Sequence, residues 1–309
     1  MSDGKSNVGA VAVGSAFAVL QAVLYSTMGI FGKVLYATGL GPQEVLVLRY
    51  ACSTVLLGAF LLIWRKQSLM SRDPVVYVLA ALGFLSSATY FLAVERMSAG
   101  LTTVVFYTYP AVVAVASIFV FKEQFTLSTF LSLVLAMGGL ILVSGVHAGD
   151  VVLDALGMAY AVVSCLAFAV YTLLIQKHPR KDGPMTFTFT LSCASLVGSC
   201  VLFAPVLPNL VSVTAEQIGL SCALALACTL LPIPLYLEAV KRIGGTRASL
   251  LGITETPSSL LLAFLVLGEV LTFDQALGSA LIVLSIAVIT VAPLVGKRME
   301  SLPGQTKSD

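Results

Sequence analysis

Polar and apolar positions do not alternate along this chain. Apolar residues run for about twenty positions at a stretch, and charged or turn-forming residues fall between the runs. Roughly 20 residues at about 1.5 Å rise cross a hydrocarbon core of about 30 Å. The runs cover residues 12–34, 44–64, 75–94, 101–121, 127–146, 155–175, 186–206, 218–239, 248–267 and 273–295, which predicts ten membrane-spanning helices. The breaks hold Gly39-Leu40-Gly41-Pro42, Arg72-Asp73-Pro74, Lys122-Glu123, the segment His178 to Pro184, and Gly244-Gly245. Strands of a membrane barrel alternate inward and outward faces residue by residue, so continuous apolar runs predict helices.

Composition removes the soluble alternative. With 58% hydrophobic and 10% charged residues there are too few charges to cover a water-facing surface. Mean hydropathy is +1.01. The six cysteines, Cys52, Cys165, Cys193, Cys200, Cys222 and Cys228, all fall within predicted spans, where they read as small packing residues without metal or disulfide spacing. The first apolar run is longer than a signal-peptide core and has one upstream cation, Lys5, so a cleaved leader is not expected.

Charge then sets an orientation. With a cytoplasmic N-terminus, 14 of the 17 basic residues lie on the cytoplasmic side, among them Arg65, Lys66, Arg72, Lys122, Lys177, Arg180, Lys181, Lys241, Arg242, Arg247, Lys297, Arg298 and Lys307. Lys33 and Arg96 lie opposite, and Arg49 is inside a span. The positive-inside rule therefore predicts an even number of spans with both termini cytoplasmic.

The chain also repeats itself. Tyr90 to Arg96 resembles Tyr236 to Arg242 at an offset of 146, and the same offset brings Thr108 onto Thr254, Glu123 onto Glu269, Thr126 onto Thr272 and Tyr25 onto Tyr171. Five helices per half is an odd number, so the second half is expected to insert upside down. Inverted repeats allow inward- and outward-facing states to be near mirror versions of one another. The expected organisation is an all-α integral membrane protein of ten transmembrane helices in two inverted five-helix repeats, residues 1–147 and 148–309. Duplication kept for packing alone is the competing reading.

Three stretches carry a family resemblance: Leu48-Arg49-Tyr50, Ala239 to Leu251 with its Lys241-Arg242-Ile243-Gly244-Gly245-Thr246 centre, and Leu267-Gly268-Glu269-Val270-Leu271-Thr272. Both halves, roughly 14–146 and 155–293, resemble EamA-type units of the drug/metabolite transporter superfamily. The first half departs from that pattern at Glu95, at Lys122 in place of glycine, and at Tyr109-Pro110 in place of Glu-Pro. The resemblance implies a secondary transporter in a bacterial cytoplasmic membrane, most simply an exporter of amino acids or related metabolites. Uptake, exchange and passive facilitation stay open, as do proton coupling and oligomeric state.

An ionisable group within a span costs about 2.5–3.5 kcal/mol on insertion scales, so each one needs a reason. Glu255 lies about seven residues into the ninth span, roughly 10 Å along its axis. Pro257 follows, and proline frees a carbonyl one turn earlier, which suits a locally opened helix beside a cavity. Such a carboxylate can bind a cationic substrate group or carry a proton; an internal ion pair or hydrogen bonds to Thr254 or Thr256 are the plainer alternatives. Arg49 is expected to snorkel toward water or Glu44, Lys33 to snorkel as well, and Glu123 and Glu269 to cap or pack.

The second constellation is aromatic and polar. Tyr25, Tyr109 and Tyr171 are expected to face a cavity, with Tyr90, Tyr107, Tyr236 and Gln21 joining them and Ser26 and Ser164 as further candidates. Tyrosine offers apolar area, a cation–π face and a hydrogen bond, which suits organic solutes, although interfacial anchoring also explains it. Pro232 and Pro234 are expected to kink or unwind the eighth span, and together with Pro110 and Pro257 they are the candidate hinges.

An intramembrane enzyme is the alternative of another class. It lacks support, because His147 and His178 lie at opposite ends of spans and no buried acid pair or CxxC spacing occurs. No Gly-x-x-x-x-Gly-Lys-Ser/Thr sequence provides for nucleotide hydrolysis either. No cofactor, metal or nucleic-acid partner is expected; the expected partners are a small-molecule substrate and the lipid bilayer.

Overall fold

A computed structural model describes residues 2–65, 69–146, 153–178 and 182–300, with side chains for 9–63, 69–146, 153–178 and 182–291. The 147/148 boundary, His147, Lys66, Arg180, Lys181 and Lys307 lie outside the described residues, as do the side chains of Lys5, Arg65, Lys297 and Arg298. The described residues are helical and turn segments without strands. The first half runs α1 (Ser2–Ser26), α2 (Met28–Ala37), α3 (Pro42–Phe60), α4 (Pro74–Val94), α5 (Ala99–Phe106), α6 (Tyr109–Phe121) and α7 (Leu127–Ser144). The second runs α8 (Ala155–Lys177), α9 (Pro184–Leu202), α10 (Ala215–Ala225), α11 (Pro232–Gly252), α12 (Glu255–Leu267) and α13 (Phe273–Glu300).

Helix starts are written in short polar side chains. Asp73, Ser98, Thr126, Asp154 and Thr214 each accept a hydrogen bond from a first-turn amide of the helix they precede. Thr214 and Gln217 form a reciprocal capping box. Large apolar residues such as Leu62, Phe119, Val197 and Val201 stay exposed on the outer surface, as a lipid-facing surface requires.

Nine helical stretches among the described residues are long and apolar enough to cross a membrane, and Glu255–Leu267 is a shorter apolar helix. One of the nine, Ala215–Gly252, is 38 residues long. Gly244 divides it: its φ of 79° and ψ of 162° are non-helical, and a left-handed φ of this kind suits glycine. The expected break at Gly244-Gly245 is thus a single residue rather than a loop. The eighth span runs up to it, and the ninth runs from Gly245 through α12, which restores ten spans. The eighth span departs from regular α-helix just where Pro232 and Pro234 enter it. A π-helical turn, Leu226–Leu230, closed by Leu231 N on the Leu226 carbonyl, immediately precedes Pro232, and α-helix resumes from there.

The two halves are inverted, and the packing of α7 against α13 demonstrates it. Ser132 Oγ donates to the Ser285 carbonyl at 3.0 Å and Ser285 Oγ donates back to Ser132 at 2.7 Å. Farther along, Gly139 and Gly278 meet so closely that a Cβ on either would lie 2.5 Å from the other's carbonyl oxygen. Residue numbers rise on one helix as they fall on the other, so the helices are antiparallel. A shift of 146 turns Ser132 into Gly278 and Gly139 into Ser285, so the two contacts exchange places about a pseudo-two-fold axis. Close approach through Gly and Ser is how helices adhere where lipid removes the hydrophobic drive.

The first helix of each half follows a different register. A Cβ on Gly157 would lie 2.8 Å from Met97 Cγ and 3.0 Å from Arg96 Cβ; one on Gly14 would lie 2.7 Å from Ile243 Cγ2 and 2.8 Å from Arg242 Cβ. Arg96 and Arg242 are 146 apart, but Gly14 and Gly157 are 143 apart. Tyr25 is therefore the counterpart of Phe168, and Tyr171 that of Met28. The expected Tyr25/Tyr171 pairing is displaced by three residues.

Span four and span nine break at matching places. Thr108 Oγ1 donates to the Val105 carbonyl and Thr254 Oγ1 to the Leu251 carbonyl, at 2.7 and 2.6 Å, each where one helix stops and the next begins. Beyond them, α6 ends on Lys122 with φ 56° and α12 on Gly268 with φ 68°. Lys122 is exposed and carries the strain that glycine relieves at the matching site. Lys122→Gly is expected to stabilise the protein by about 1 kcal/mol, read as a raised unfolding midpoint in detergent.

Candidate functional site

The helix breaks converge on a cavity of about 490 Å³. Its wall takes in Gln21, Tyr25, Tyr90, Tyr107, Tyr109, Tyr171, Tyr236 and Glu255, so every side chain expected to bind lines it. The four candidate hinges do not. Pro110 is buried near the start of α6, Pro257 sits in the first turn of α12, and Pro232 and Pro234 open α11. Ser86 of α4 also lines the cavity, where its hydroxyl donates to the Ser164 carbonyl at 3.0 Å while Ser164 Oγ donates to the Ser86 carbonyl at 2.7 Å. Ser164 therefore staples α8 to α4, and Ser26 bonds back to its own helix through the Val23 carbonyl at 2.6 Å.

At the cavity's inner end the aromatic rings interlock. Phe168 meets Tyr109 edge-on at 4.8 Å between centroids, stacks on Tyr171 at 5.5 Å and lies 6.0 Å from Tyr236. The Tyr236 hydroxyl shares a 2.7 Å hydrogen bond with Thr172, and the Tyr109 hydroxyl donates to the Ser249 carbonyl at 3.4 Å. Nearer the Lys33 end, the Tyr90 hydroxyl pairs with Thr103 at 2.8 Å. Tyr107 and Glu255 share the cavity wall, and the Thr254 hydroxyl is spent on its own helix.

The cavity lies in one half of the bundle. Its wall includes Gly29, Phe91, Thr103 and Leu260, toward the end bearing Lys33 and Glu269. Below the aromatic layer the bundle is closed by a polar latch. Glu123 accepts from Gln176 Nε2 at 2.7 Å and from Thr246 Oγ1 at 3.1 Å, while the Gln176 amide oxygen accepts from Gly245 N at 2.6 Å. This joins α6, α8 and the Gly244 break. At the opposite end Glu269 pairs with Lys33, and Gly100, the counterpart of Thr246, abuts Ser144 instead. Glu123 and Glu269 thus do more than cap turns, and Lys33 is an ion-pair partner rather than a free snorkelling cation.

Arg49 is the main departure from expectation. It does not reach Glu44, whose carboxylate accepts from Gly41 N at 2.6 Å and from Asn209 Nδ2 at 2.9 Å. Instead Arg49 is 6% exposed and lines the cavity beside Tyr50. Phe168, Phe106 and Tyr50 are further wall residues that sequence reasoning passed over. Phe168 carries no polar group to separate it from lipid-facing phenylalanines; the repeat register of 143 was the available signal.

A model of the EamA-like transporter family matches residues 12–145 and 155–291. An uncharacterized transporter of Bacillus subtilis is 26% identical over 93% of this chain and 97% of its own length. One from a Synechocystis strain is 25% identical over 76% of this chain and 74% of its own. An S-adenosylmethionine uptake transporter of Rickettsia bellii is 23% identical over 60% of this chain and 63% of its own. A solved protein crystal structure shares the fold with a TM-score of 0.75 and 19% identity, covering 94% of this chain and 99% of that one.

Proposed function

We propose that this chain, which belongs to the EamA-like transporter family, exports amino acids or related metabolites by alternating access across a bacterial cytoplasmic membrane, with both termini in the cytoplasm. Its place in a membrane and its role as a transporter of small molecules follow from the family and the apolar spans.

The observation that supports alternating access is the unequal state of two repeat-related latches. Glu123 is docked on Thr246 and on Gln176, which in turn holds Gly245, and Glu269, its counterpart, is tied to Lys33 and away from Gly100. The cavity lies at the undocked end. A swing that docked Glu269 and released Glu123 would carry the cavity's contents to the other face. The basic residues clustered on the Lys122 side support a cytoplasmic assignment for the latched face, so the cavity belongs to the outward-facing state. Uptake is the second reading, favoured by the name of the Rickettsia relative.

Flux of amino acids, amines and nucleosides into reconstituted vesicles, with and without a pH gradient, tests the proposal. Absence of flux for every class would reject it. Glu255 is the cavity's carboxylate and is assigned the proton or the substrate cation. Glu255→Gln is expected to lower flux at least about tenfold, the loss of one charged contact, and to flatten its dependence on the pH gradient. Unchanged flux and unchanged pH dependence would remove Glu255 from the mechanism.

A further inference from the structure

Arg49 carries more donors than the protein satisfies. Nη2 donates to the Tyr50 hydroxyl at 2.9 Å, Nη1 reaches only the Met28 sulfur at 3.5 Å, and the guanidinium lies 4.7 Å over the Tyr50 ring. Nε is buried without a partner. A guanidinium has five N–H donors, and thioether sulfur is a weak acceptor. Among the described residues no carboxylate pairs with Arg49, since Glu44, the nearest acid in sequence, is spent elsewhere. Glu255 has the complementary deficit: among the described residues no basic side chain pairs with it.

Both groups face the same cavity, whose wall Tyr25 shares. Removing two opposite charges from water without letting them meet is costly unless something else neutralises both. A purely cationic solute would leave Arg49 unmatched, a purely anionic one would leave Glu255 unmatched, and a neutral solute would satisfy neither. Arginine rather than lysine at this site favours a flat, two-oxygen anion, because its fork matches a carboxylate. The remaining wall, with Tyr25, Phe91, Phe106 and Phe168, is aromatic and suits an apolar body.

We infer that the cavity selects solutes carrying a carboxylate and a cationic nitrogen on one apolar body, with Arg49 holding the carboxylate and Glu255 the cation. Arg49 is then a specificity-determining residue. The inference rests on the transport reading above and deepens it.

The test uses full-length protein in proteoliposomes and two matched series. One is phenylalanine, its methyl ester, phenethylamine and 3-phenylpropionate; the other is leucine, its methyl ester, isopentylamine and 4-methylpentanoate. A broad panel of zwitterions, amines, carboxylates and nucleosides accompanies them. The transported compounds are expected to be zwitterions, with each ester, amine or acid slower than its parent by about tenfold or more. Arg49→Gln is expected to erase the preference for zwitterion over amine, and Arg49→Lys to keep part of it. If Arg49→Gln does not fold, the ranking by wild-type protein, repeated as ligand-induced thermal shifts in detergent, decides alone. Wild-type transport of amines, esters or nucleosides as fast as zwitterions would overturn the inference and leave the transport reading standing. No flux of any compound would overturn both.

Discussion

Replacing Glu123 with alanine is expected to open the face that is now sealed. The substitution removes the acceptor for Gln176 Nε2 and Thr246 Oγ1, and the Gln176–Gly245 contact loses the group that orients it. A hydrogen bond to a charged group contributes about 1.5–3 kcal/mol. Losing about 3 kcal/mol from one of two balanced states shifts their ratio roughly a hundredfold. Ser249→Cys is a suitable reporter: Ser249 is fully buried, its hydroxyl bonds only its own helix, and its carbonyl accepts from Tyr109. A membrane-impermeant maleimide applied from the Lys122 side should label Ser249→Cys at least about tenfold faster when Glu123 is alanine, with Glu123→Gln between the two. Equal labelling rates with and without Glu123 would show that the carboxylate does not hold the closure.

A larger structural effect is expected at the crossing of α7 and α13. A Cβ at Gly139 would lie 2.5 Å from the Gly278 carbonyl oxygen, 2.8 Å from Ile282 Cγ1 and 3.2 Å from the Ile282 amide. Two of these neighbours are backbone, so no rotamer change relieves the clash, and the helices must separate. Gly139→Leu is expected to cost about 3 kcal/mol or more, seen as a lost or strongly lowered unfolding midpoint in detergent. Gly278→Leu should match it, because a Cβ there would lie 2.5 Å from the Gly139 carbonyl oxygen and 2.9 Å from the Val143 amide. The double variant should cost less than the sum, since once the helices part, the second side chain finds space. Ser132→Ala, seven residues from Gly139 on the same helix, removes one hydrogen bond and should cost about 1 kcal/mol. A Gly139→Leu protein as stable as wild type would contradict the close approach.

The ten spans, the inverted halves and the Thr108/Thr254 match were legible because they depend on length, charge and spacing, which a linear chain displays. The eight cavity residues were legible too, since a hydroxyl or carboxylate within an apolar run is conspicuous. What stayed hidden depended on direction. Arg49 near a span end reads as a snorkelling cation until its rotation about the helix axis is known. Phe168 looks like any lipid-facing ring. The 143-residue register of the first helices was masked by the coincidence of two tyrosines 146 apart. Glu123 and Lys33 resemble ordinary loop charges until the Gly244 break brings Gly245 and Thr246 up to one of them.

The repeat is imperfect in one respect that bears on how the protein moves. Span one is jointed at Thr27, whose hydroxyl folds back on the Leu24 carbonyl at 2.7 Å, and it lies against the eighth span, which carries the π turn at Leu226–Leu230. Their counterparts, α8 and α4, are unbroken and riveted to each other by the reciprocal Ser86–Ser164 bonds. As mechanical parts, one side wall is an articulated arm and the other a strut. In the alternating-access cycle proposed above, closing one face would bend the arm at its joints, whereas closing the other would work against the strut. Reversing such a cycle would not be the same journey run through a mirror: two faces that are twins in topology would open and close as unequal doors.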